Sequence, residues 1–552
     1  MTTTITAPAG EQTAGGRAGS PSGAVRLDLL VVGAGFAGLY MLHKARTMGL
    51  SATVLEAADG VGGTWYWNRY PGARCDVDSV EYSFSFDEAL QQEWRWSERY
   101  AAQPELLRYA NHVADRFDLR RDIRLGTRVV SAHFDDASAR WTVRTDRGDT
   151  FEATYLAMAT GPLSTAMLPD IAGIDSFAGP VLHTGRWPHE PVDFAGRRVG
   201  VVGTGSSGVQ LIPELARQAH ELVVFQRTAV YTVPARNGPL DPGREARIKA
   251  DYPAFRERNR RMPTAFGSEL ALAAESAFDV TDTERERIYR ERWEQGGFTF
   301  ARSFHDLATD PVANDTAARF IRERIAETVR DPDTARRLMP SHPVLCKRLC
   351  IDSGYYETFN RPNVRLVDVT EAPIERITPR GVHAGGVEHP LDVLVFATGF
   401  DAMTGTLLRI DIRGRGGVAL KDAWRDGPAT YLGLAVAGFP NLFTLVGPGS
   451  PSALTNVIMQ IEQHVDWVGD CIGWMRTHGR RTLEATPAAQ AAWVAHVARV
   501  AGQTVFTGCN SWYLGANVPG KPRVMMALPG FPQYVARCDA VARDGYDGFA
   551  VD

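Results

Sequence analysis

VVGAGFAGLY at residues 31–40 decides the fold, and VVGTGSSGVQ at residues 201–210 repeats it. Each stretch follows an apolar strand pattern and opens a helical pattern, as in a turn that binds a dinucleotide. Glycines in such a turn let the backbone approach a pyrophosphate, and the helix N-terminus presents its positive end to it. The glycines of the two turns are Gly33, Gly35, Gly38, Gly203, Gly205 and Gly208. The repeat predicts an α/β fold with two Rossmann-like dinucleotide-binding domains.

The residues that follow the two turns differ in charge. Glu56 closes the strand after the first turn, whereas Gln226 stands at the matching position after the second, with Arg227 beside it. A carboxylate there accepts hydrogen bonds from a ribose 2′-hydroxyl and repels a 2′-phosphate, and an arginine favours that phosphate. The sequence therefore predicts FAD in the first site and NADPH in the second, where Ser206 and Ser207 complete the turn.

Length and composition restrict the class of protein. A chain of 552 residues is expected to form two or three domains. Its hydrophobic content of 44% and charged content of 22% are typical of a globular enzyme. The net charge of −4 offers no broad basic face to nucleic acid or anionic lipid, so neither is expected as a partner. No apolar stretch is long and continuous enough for a membrane span.

The N-terminus and the cysteines indicate a reduced, cytoplasmic setting. Residues 1–24 are small and polar and predict a disordered tail without a secretory segment. The six cysteines are scattered, and Cys346 and Cys350 have neither CxxC nor zinc spacing, so packed thiols are expected. A flavoprotein that reduces disulfides would need a cysteine pair facing its flavin, and none is apparent in the sequence.

Strand and helix patterns suggest how the chain is divided. Two strands end in Ala-Thr-Gly, at residues 159–161 and 397–399, where we expect the chain to pass between domains. This predicts an FAD-binding domain at residues 25–160 and 400–552 and an NADPH-binding domain at 161–399. Charge-rich helical patterns predict a helical insertion in the second domain, at about residues 239–339.

Two longer motifs accompany the glycine turns. The pattern FxGxxxHxxxWP is matched by Phe177, Gly179, His183, Trp187 and Pro188. The pattern GGxWxxxxYPGxxxD is matched by Gly62, Gly63, Trp65, Tyr70, Pro71, Gly72 and Asp76. From about residue 25 to the C-terminus the chain thus resembles the flavin-dependent Baeyer–Villiger monooxygenases, particularly the members that act on phenylacetone and on steroids.

The resemblance implies NADPH- and O₂-dependent insertion of one oxygen beside a ketone carbonyl, through a C4a-peroxyflavin, to give an ester or lactone. Such a site needs a fixed cation to stabilise the anionic peroxide and the following oxyanion, and arginine keeps its proton at any working pH. The resemblance assigns this role to Arg348 and implies that Asp76 orients it.

The resemblance also assigns binding residues. Lys347 joins Arg227 and Thr228 at the 2′-phosphate, and Trp512 contacts the nicotinamide nucleotide. His183 is expected to position the hinge between domains rather than to transfer a proton. The substrate pocket is expected to include Val77, Leu163, Ser452, Ala453 and Leu454.

Two other functions are considered. An N- or S-oxygenating flavoprotein would use a hydroperoxide as an electrophile, and a redox sensor would bind flavin without turnover. No pattern of metal ligands and no serine elbow is present in the sequence, so metal or acyl chemistry is not expected. The physiological ketone, the regiochemistry and the role of the insertion are open, as is the oligomeric state, for which a monomer is favoured.

Overall fold

The computed structural model describes residues 24–270 and 272–552, so residues 1–23 of the predicted disordered tail lie outside it. The strands are β1 (Val25–Val32), β2 (Ala52–Leu55), β3 (Ile123–Arg124), β4 (Val129–Asp135), β5 (Arg140–Thr145), β6 (Thr150–Met158), β7 (Val181–His183), β8 (Arg198–Val202), β9 (Glu221–Gln226), β10 (Thr232–Pro234), β11 (Cys350–Asp352), β12 (Val364–Asp368), β13 (Ile374–Thr378), β14 (Gly381–Ala384), β15 (Val387–Pro390), β16 (Val393–Phe396), β17 (Asp411–Arg413), β18 (Leu442–Thr444), β19 (Leu483–Ala485) and β20 (Phe549–Val551).

The helices alternate with these strands. They are α1 (Phe36–Thr47), α2 (Thr64–Trp67), α3 (Glu88–Glu93), α4 (Gln103–Arg116), α5 (Ser206–Gln218), α6 (Pro242–Ala250), α7 (Tyr252–Arg260), α8 (Asp282–Gln295), α9 (Pro311–Thr328), α10 (Pro332–Leu338), α11 (Tyr355–Thr358), α12 (Gly405–Arg409), α13 (Leu420–Ala423), α14 (Val457–Thr477), α15 (Pro487–Gly502) and α16 (Phe531–Arg543). Within the two described ranges, no helix is both long and apolar enough to cross a membrane.

Two sheets carry the fold. In the first, strands run in the order β17-β4-β5-β6-β1-β2-β3, with β18 also paired to β6. In the second, the order is β12-β9-β8-β16-β7, and every pairing is parallel. The central strands β1 and β8 are apolar at their buried positions because helices cover both faces of such sheets. The predicted α/β fold with two dinucleotide-binding units is confirmed.

Each glycine turn lies at the C-terminal end of the central strand of its sheet, where ligands of open α/β sheets bind. Strands β17 and β18, which follow residue 400, belong to the first sheet, so the chain returns to it after completing the second. The domain limits derived from the sequence, and the nucleotide assigned to each domain, stay predictions.

Five helices, α6 to α10, lie within the segment predicted as a helical insertion. Four of them begin after an aspartate that accepts a hydrogen bond from a backbone N–H in the first turn, with proline at one of the first two helical positions. Both devices satisfy or remove amide donors that a helix start leaves unpaired. The buried faces of α8 and α9 join the core of the second sheet through Tyr289, Phe320 and Ile321.

Candidate active site

The first glycine turn is held by Glu56. One carboxylate oxygen accepts from the backbone N–H of Ala34 at 2.6 Å and the other from that of Ala58 at 2.8 Å. Burial raises the pKa of Glu56, and these two bonds oppose the shift. Gly33 has φ +104°, and a Cβ there would lie 2.6 Å from the carbonyl oxygen of Ala159. The turn therefore packs against the Ala-Thr-Gly end of β6, and no other residue fits at position 33.

The second turn has the same construction with a different outer residue. Gly203 has φ +106°, and a Cβ there would lie 2.6 Å from the carbonyl oxygen of Ala397, in the other Ala-Thr-Gly turn. Helix α5 begins at Ser206 without a side-chain cap, so its first N–H groups stay available to an anion. Gln226, which matches Glu56 of the first unit, is buried as Glu56 is, whereas Arg227 and Thr228 are exposed. The exposed cation therefore stands one residue beyond the position that Glu56 occupies in the first unit.

The motif at residues 62–76 connects the two units. Gly63 packs against the first turn, since a Cβ there would lie 2.8 Å from the Cα of Gly35. Trp65 is buried and donates from Nε1 to the hydroxyl of Tyr82 at 3.3 Å. Further along, the Tyr70 hydroxyl donates to Oε1 of Gln210, on helix α5, at 2.8 Å. The motif therefore crosses from one nucleotide turn to the other and ends at Asp76.

Asp76 pairs with Arg348, as the sequence resemblance implied. Oδ2 of Asp76 accepts from Nη2 of Arg348 at 2.7 Å and from Nε at 3.0 Å. The second terminal nitrogen of Arg348 donates to the carbonyl oxygen of Ala453 at 2.6 Å. The Phe298 ring lies under the guanidinium, with 4.9 Å between the ring centroid and Cζ of Arg348. These contacts fix the guanidinium plane from three sides.

Arg348 keeps its charge although it is largely withdrawn from solvent. Burial lowers its pKa, but Asp76, together with Tyr513 and Cys350, raises it by more, so the pKa is raised overall. Burial also raises the pKa of Tyr513 to about 12, with Arg348 acting in the opposite direction. The site thus contains a permanent cation next to a phenol that stays protonated.

Lys347 and Trp512 come together through one loop. Nζ of Lys347 donates to the carbonyl oxygen of Asn510, two residues before Trp512. Burial, and to a smaller extent Arg227, lowers the pKa of Lys347, so the two cations share one environment. Trp512 packs with Leu163 against a small apolar cluster of Ala402, Met403 and Met526. The predicted nicotinamide contact and one predicted pocket residue are therefore neighbours.

The other predicted pocket residues lie close in the chain to Asp76 or to Ala453, both of which contact Arg348. Val77 is buried directly after Asp76. Ser452 is buried at φ +48° and donates to the sulfur of Met403 at 3.3 Å, while Ala453 contacts Arg348 and Leu454 is half-buried. A cavity of about 330 Å³ reaches Asp76 from the other side and is lined by Phe298 of the insertion. None of the five predicted pocket residues lines it.

This cavity lies between residues 76–100 and residues 244–302. Its wall includes Glu81, which accepts from the backbone N–H of Gly267 at 2.6 Å, and Arg302, which donates to the Gly267 carbonyl. Burial, together with the nearby Asp78, raises the pKa of Glu81 to about 7. Phe298 and Arg302, from the segment predicted as an insertion, thus bring an aromatic ring and a buried charge close to the Asp76–Arg348 pair.

The second signature lies at the crossing between domains. His183 ends β7, and its Nδ1 accepts from the backbone N–H of Gly185 at 2.9 Å, so the proton of the neutral ring is on Nε2. Nε2 lies 3.3 Å from the Met167 carbonyl and 3.3 Å from Oγ1 of Thr398. The ring therefore links the segment of Met167 to the segment of Thr398, the two stretches of chain that run between the sheets.

The other residues of this signature are packing residues. Phe177 and Trp187 are buried, and a Cβ on Gly179 would lie 2.2 Å from the Asp392 carbonyl oxygen. Pro188 follows Trp187 and is half-buried.

Comparison with known proteins adds a family to this geometry. Residues 30–254 match the family described as pyridine nucleotide-disulphide oxidoreductase. Over 531 residues the chain is 44% identical to a Baeyer–Villiger monooxygenase of Pseudooceanicola batsensis, covering 95% of this chain and 96% of that protein. The chain belongs to the Baeyer–Villiger monooxygenases. The resemblance seen in the two motifs is confirmed.

Two further comparisons describe the range of this family. A solved structure of an oxidised steroid monooxygenase bound to NADP has 51% sequence identity and a TM-score of 0.91, covering 96% of this chain and 99% of that one. A phenazine N-monooxygenase of Lysobacter antibioticus is 44% identical over 527 residues, covering 95% of this chain and 96% of that protein. Relatives of similar identity to this chain therefore carry names that refer to different reactions.

One sequence expectation for this Baeyer–Villiger monooxygenase is wrong. Cys346 is bonded to Cys509 in a disulfide, with their Cα atoms 6.0 Å apart, and is not a packed thiol. Cys75, Cys350, Cys471 and Cys538 are free and buried, as expected. The two bonded cysteines are 163 residues apart in the chain, so spacing alone gave no sign of their contact. No cluster of metal-ligating side chains occurs among residues 24–270 and 272–552.

Several residues of the site carried no recognisable signal in the sequence. Phe298, Tyr513 and Gln210 reach it from the insertion, the C-terminal segment and helix α5. Phe298 and Gln210 belong to segments whose patterns indicate only helix or turn. Tyr513 follows Trp512 directly, and a tryptophan and tyrosine in succession could have marked it.

We expect the free energy of unfolding to fall less in His183→Gln than in the parent as the pH is lowered from 7.5 to 4. Burial lowers the pKa of His183 to about 4 from 6.5. The unfolded chain takes up this proton near pH 6.5, whereas the folded ring does so only near pH 4. The contribution of His183 to folding stability is therefore fully present above pH 6.5 and falls by about 3 kcal/mol as the pH drops to 4. Urea unfolding between pH 7.5 and 4 measures the slope, with exposed His220→Gln as control. Equal slopes for His183→Gln and the parent would contradict this role.

Proposed function

We propose that this chain oxidises ketones to esters or lactones with NADPH and O₂, with FAD in the first dinucleotide site. One oxygen atom enters the bond beside the carbonyl, the other leaves as water, and NADPH supplies the two electrons. The observation that carries the proposal is the Arg348 guanidinium, which Asp76 holds between two dinucleotide turns. FAD would be held by residues 25–160 and 400–552, and NADPH by residues 161–399.

The residues present fit both nucleotides. At Gly33 and Gly203 the backbone turns in a left-handed conformation beside an uncapped helix start, which leaves N–H groups directed at a pyrophosphate. At Gly205 a Cβ would meet no atom within 4 Å, so the protein itself leaves that space open. Glu56 has a second lone pair on each oxygen for the hydroxyls of an FAD ribose. Bound FAD supplies the activation of O₂.

Arg348 has donors left for the reacting atoms. A guanidinium has five N–H donors. Three hydrogen bonds, to Asp76 twice and to Ala453, occupy three of them. The remaining N–H groups can donate to an anionic oxygen beside the flavin and then to the oxyanion formed on the ketone carbonyl. Because the pKa of Arg348 is raised, neither stage removes its charge.

Arg227→Ala is expected to raise KM for NADPH by about 10- to 100-fold and to leave KM for NADH unchanged. A charge-assisted hydrogen bond to a phosphate contributes about 1.5–3 kcal/mol, and NADH lacks that phosphate. Arg217→Ala, an exposed arginine on helix α5 of the same unit, is the control. Steady-state kinetics with both coenzymes measure the effect, and a parallel loss with NADH would show that Arg227 does not read the 2′-phosphate.

N-oxygenation is a second candidate, because a relative of similar identity is named a phenazine N-monooxygenase. An aromatic nitrogen would enter the same space beside Arg348. It attacks an electrophilic oxygen, so no oxyanion forms on the substrate for a guanidinium to stabilise. A fixed cation with free donors therefore favours the ketone. The third possibility, a flavin-binding redox sensor without turnover, would not need the free N–H donors of Arg348.

A panel of cyclic, aromatic, long-chain and steroid ketones tests the proposed function. Purified holoenzyme with NADPH should convert at least one ketone to a product heavier by one oxygen, identified by mass spectrometry as an ester or lactone. Phenazines and a thioether run in parallel identify N- or S-oxidation. Oxidation of those compounds with no ester from any ketone would support the second candidate instead.

We propose further that the enzyme works in the cytoplasm as a monomer on small-molecule ketones and O₂. The four free, buried cysteines support a reduced setting, to which the Cys346–Cys509 bond is the exception. Gel filtration coupled to light scattering measures the oligomeric state.

A further inference from the structure

The disulfide between Cys346 and Cys509 lies beside the residues proposed to bind NADPH. Cys346 directly precedes Lys347 and Arg348, and Cys509 is three residues before Trp512. Next to the bond, Nζ of Lys347 donates to the carbonyl oxygen of Asn510. The bond therefore joins the turn that carries both cations to the segment that carries the tryptophan.

The segment at residues 503–530, here called the cover segment, has little structure of its own. It contains two turns of 3-10 helix, Val505–Thr507 and Trp512–Leu514, and otherwise no regular element. Its other attachments are noncovalent: Nδ2 of Asn517 donates to the Phe400 carbonyl at 2.7 Å, Lys521 pairs with Asp401 at 2.6 Å, and side chains such as Met526 are buried. The disulfide adds a covalent link to the turn that carries Lys347, so its reduction loosens the segment next to Cys509.

The two sulfurs differ in access. Cys346 is fully buried, whereas Cys509 is half-buried at the edge of the cover segment. Thiol–disulfide exchange requires attack on an accessible sulfur. A small dithiol can therefore reach the bond at Cys509, while Cys346 stays in place with the turn. The cation of Lys347, which follows Cys346 directly in the chain, favours the thiolate that exchange produces.

We propose that Cys346 and Cys509 are a reversible redox modification site that controls retention of the nicotinamide nucleotide. The proposal rests on the proposed NADPH site. In the oxidised form the bond holds the cover segment over Lys347 and Arg348. A dithiol reduces it to two thiols and becomes a cyclic disulfide, and the segment is released. A peroxide reverses this, taking two electrons from the thiols to form the S–S bond and two molecules of water.

Thiol counting and nucleotide binding test the proposal on the holoenzyme. Peroxide-treated protein should show four alkylatable thiols after denaturation, and dithiothreitol-treated protein should show six. Reduction should raise the Kd for NADP⁺ about fivefold or more, as expected for coupling between two sites. Trypsin should then cleave faster after Arg523, an exposed residue of the cover segment.

Cys509→Ser is the matched variant. It should behave like the reduced parent with or without dithiothreitol, since Cys346 then has no partner. Cys346→Ser should give the same result and guards against a defect specific to position 509. Six thiols in the peroxide-treated protein would overturn the proposal, because the disulfide would then not form. A change from four thiols to six on reduction, with the Kd for NADP⁺ and the cleavage at Arg523 both unchanged, would also overturn it. None of these readouts uses a ketone, so failure of the proposed oxidation would be recognised separately.

Discussion

Arg348→Ala will abolish ester formation, by about 1000-fold or more, while NADPH still reduces the flavin at close to the parent rate. The guanidinium supplies the fixed positive charge and the remaining N–H donors for the oxyanion, and removal of such donors typically costs about 100- to 1000-fold each. NADPH oxidation should therefore continue with release of hydrogen peroxide in place of ester. Stopped-flow reduction, peroxide detection and product analysis on one preparation measure the three quantities.

Two control variants separate this role from packing. Arg348→Lys keeps the charge but loses the planar fork that contacts Asp76 through two nitrogens, so an intermediate loss is expected. Arg244→Ala removes another arginine of the neighbouring cavity, which pairs with Asp78 at 2.9 Å. That variant should lose stability but form ester at a normal rate per bound flavin. Full ester formation by Arg348→Ala would refute the role assigned to Arg348.

Local patterns predicted the parts of this site that are local in the chain. Each glycine turn, with its strand and helix, lies within a few tens of residues, so spacing and charge identify Gly33, Gly203 and Glu56 directly. The two long motifs added the family, and with it the pairing of Asp76 with Arg348. That pair spans 272 residues, and no periodicity in either segment indicates the contact.

Contacts made by the segment predicted as an insertion and by the C-terminal segment could not be predicted from the sequence. Phe298 reaches Arg348 through a tertiary contact that has no sequence signature of its own. The bond between Cys346 and Cys509 depends on the same kind of contact, and the expectation of packed thiols failed there. Residues with a motif were thus predictable, and residues brought in by docking of a segment were not.

Gly205→Ala will weaken NADPH binding by about 100-fold and leave the fold unchanged. Gly205 has φ −75°, which alanine adopts without strain, and an added Cβ would meet no protein atom within 4 Å. The free protein should therefore tolerate the methyl group. In the proposed complex the pyrophosphate occupies that space, and the methyl group would displace it from two or more charge-assisted hydrogen bonds.

Gly203→Ala and Gly502→Ala complete the comparison. At Gly203 the backbone has φ +106° and the Cβ would lie 2.6 Å from the Ala397 carbonyl oxygen, so this variant should lose about 1–3 kcal/mol of stability as well as NADPH binding. At Gly502, the last residue of α15, the Cβ meets nothing within 4 Å and no nucleotide is expected, so both quantities should stay unchanged. Thermal unfolding and NADP⁺ titration measure them, and flavin content should stay at the parent level in Gly205→Ala. Normal NADP⁺ affinity in Gly205→Ala would mean that the pyrophosphate does not pass over this turn, because nothing else in the surrounding protein responds to a methyl group there.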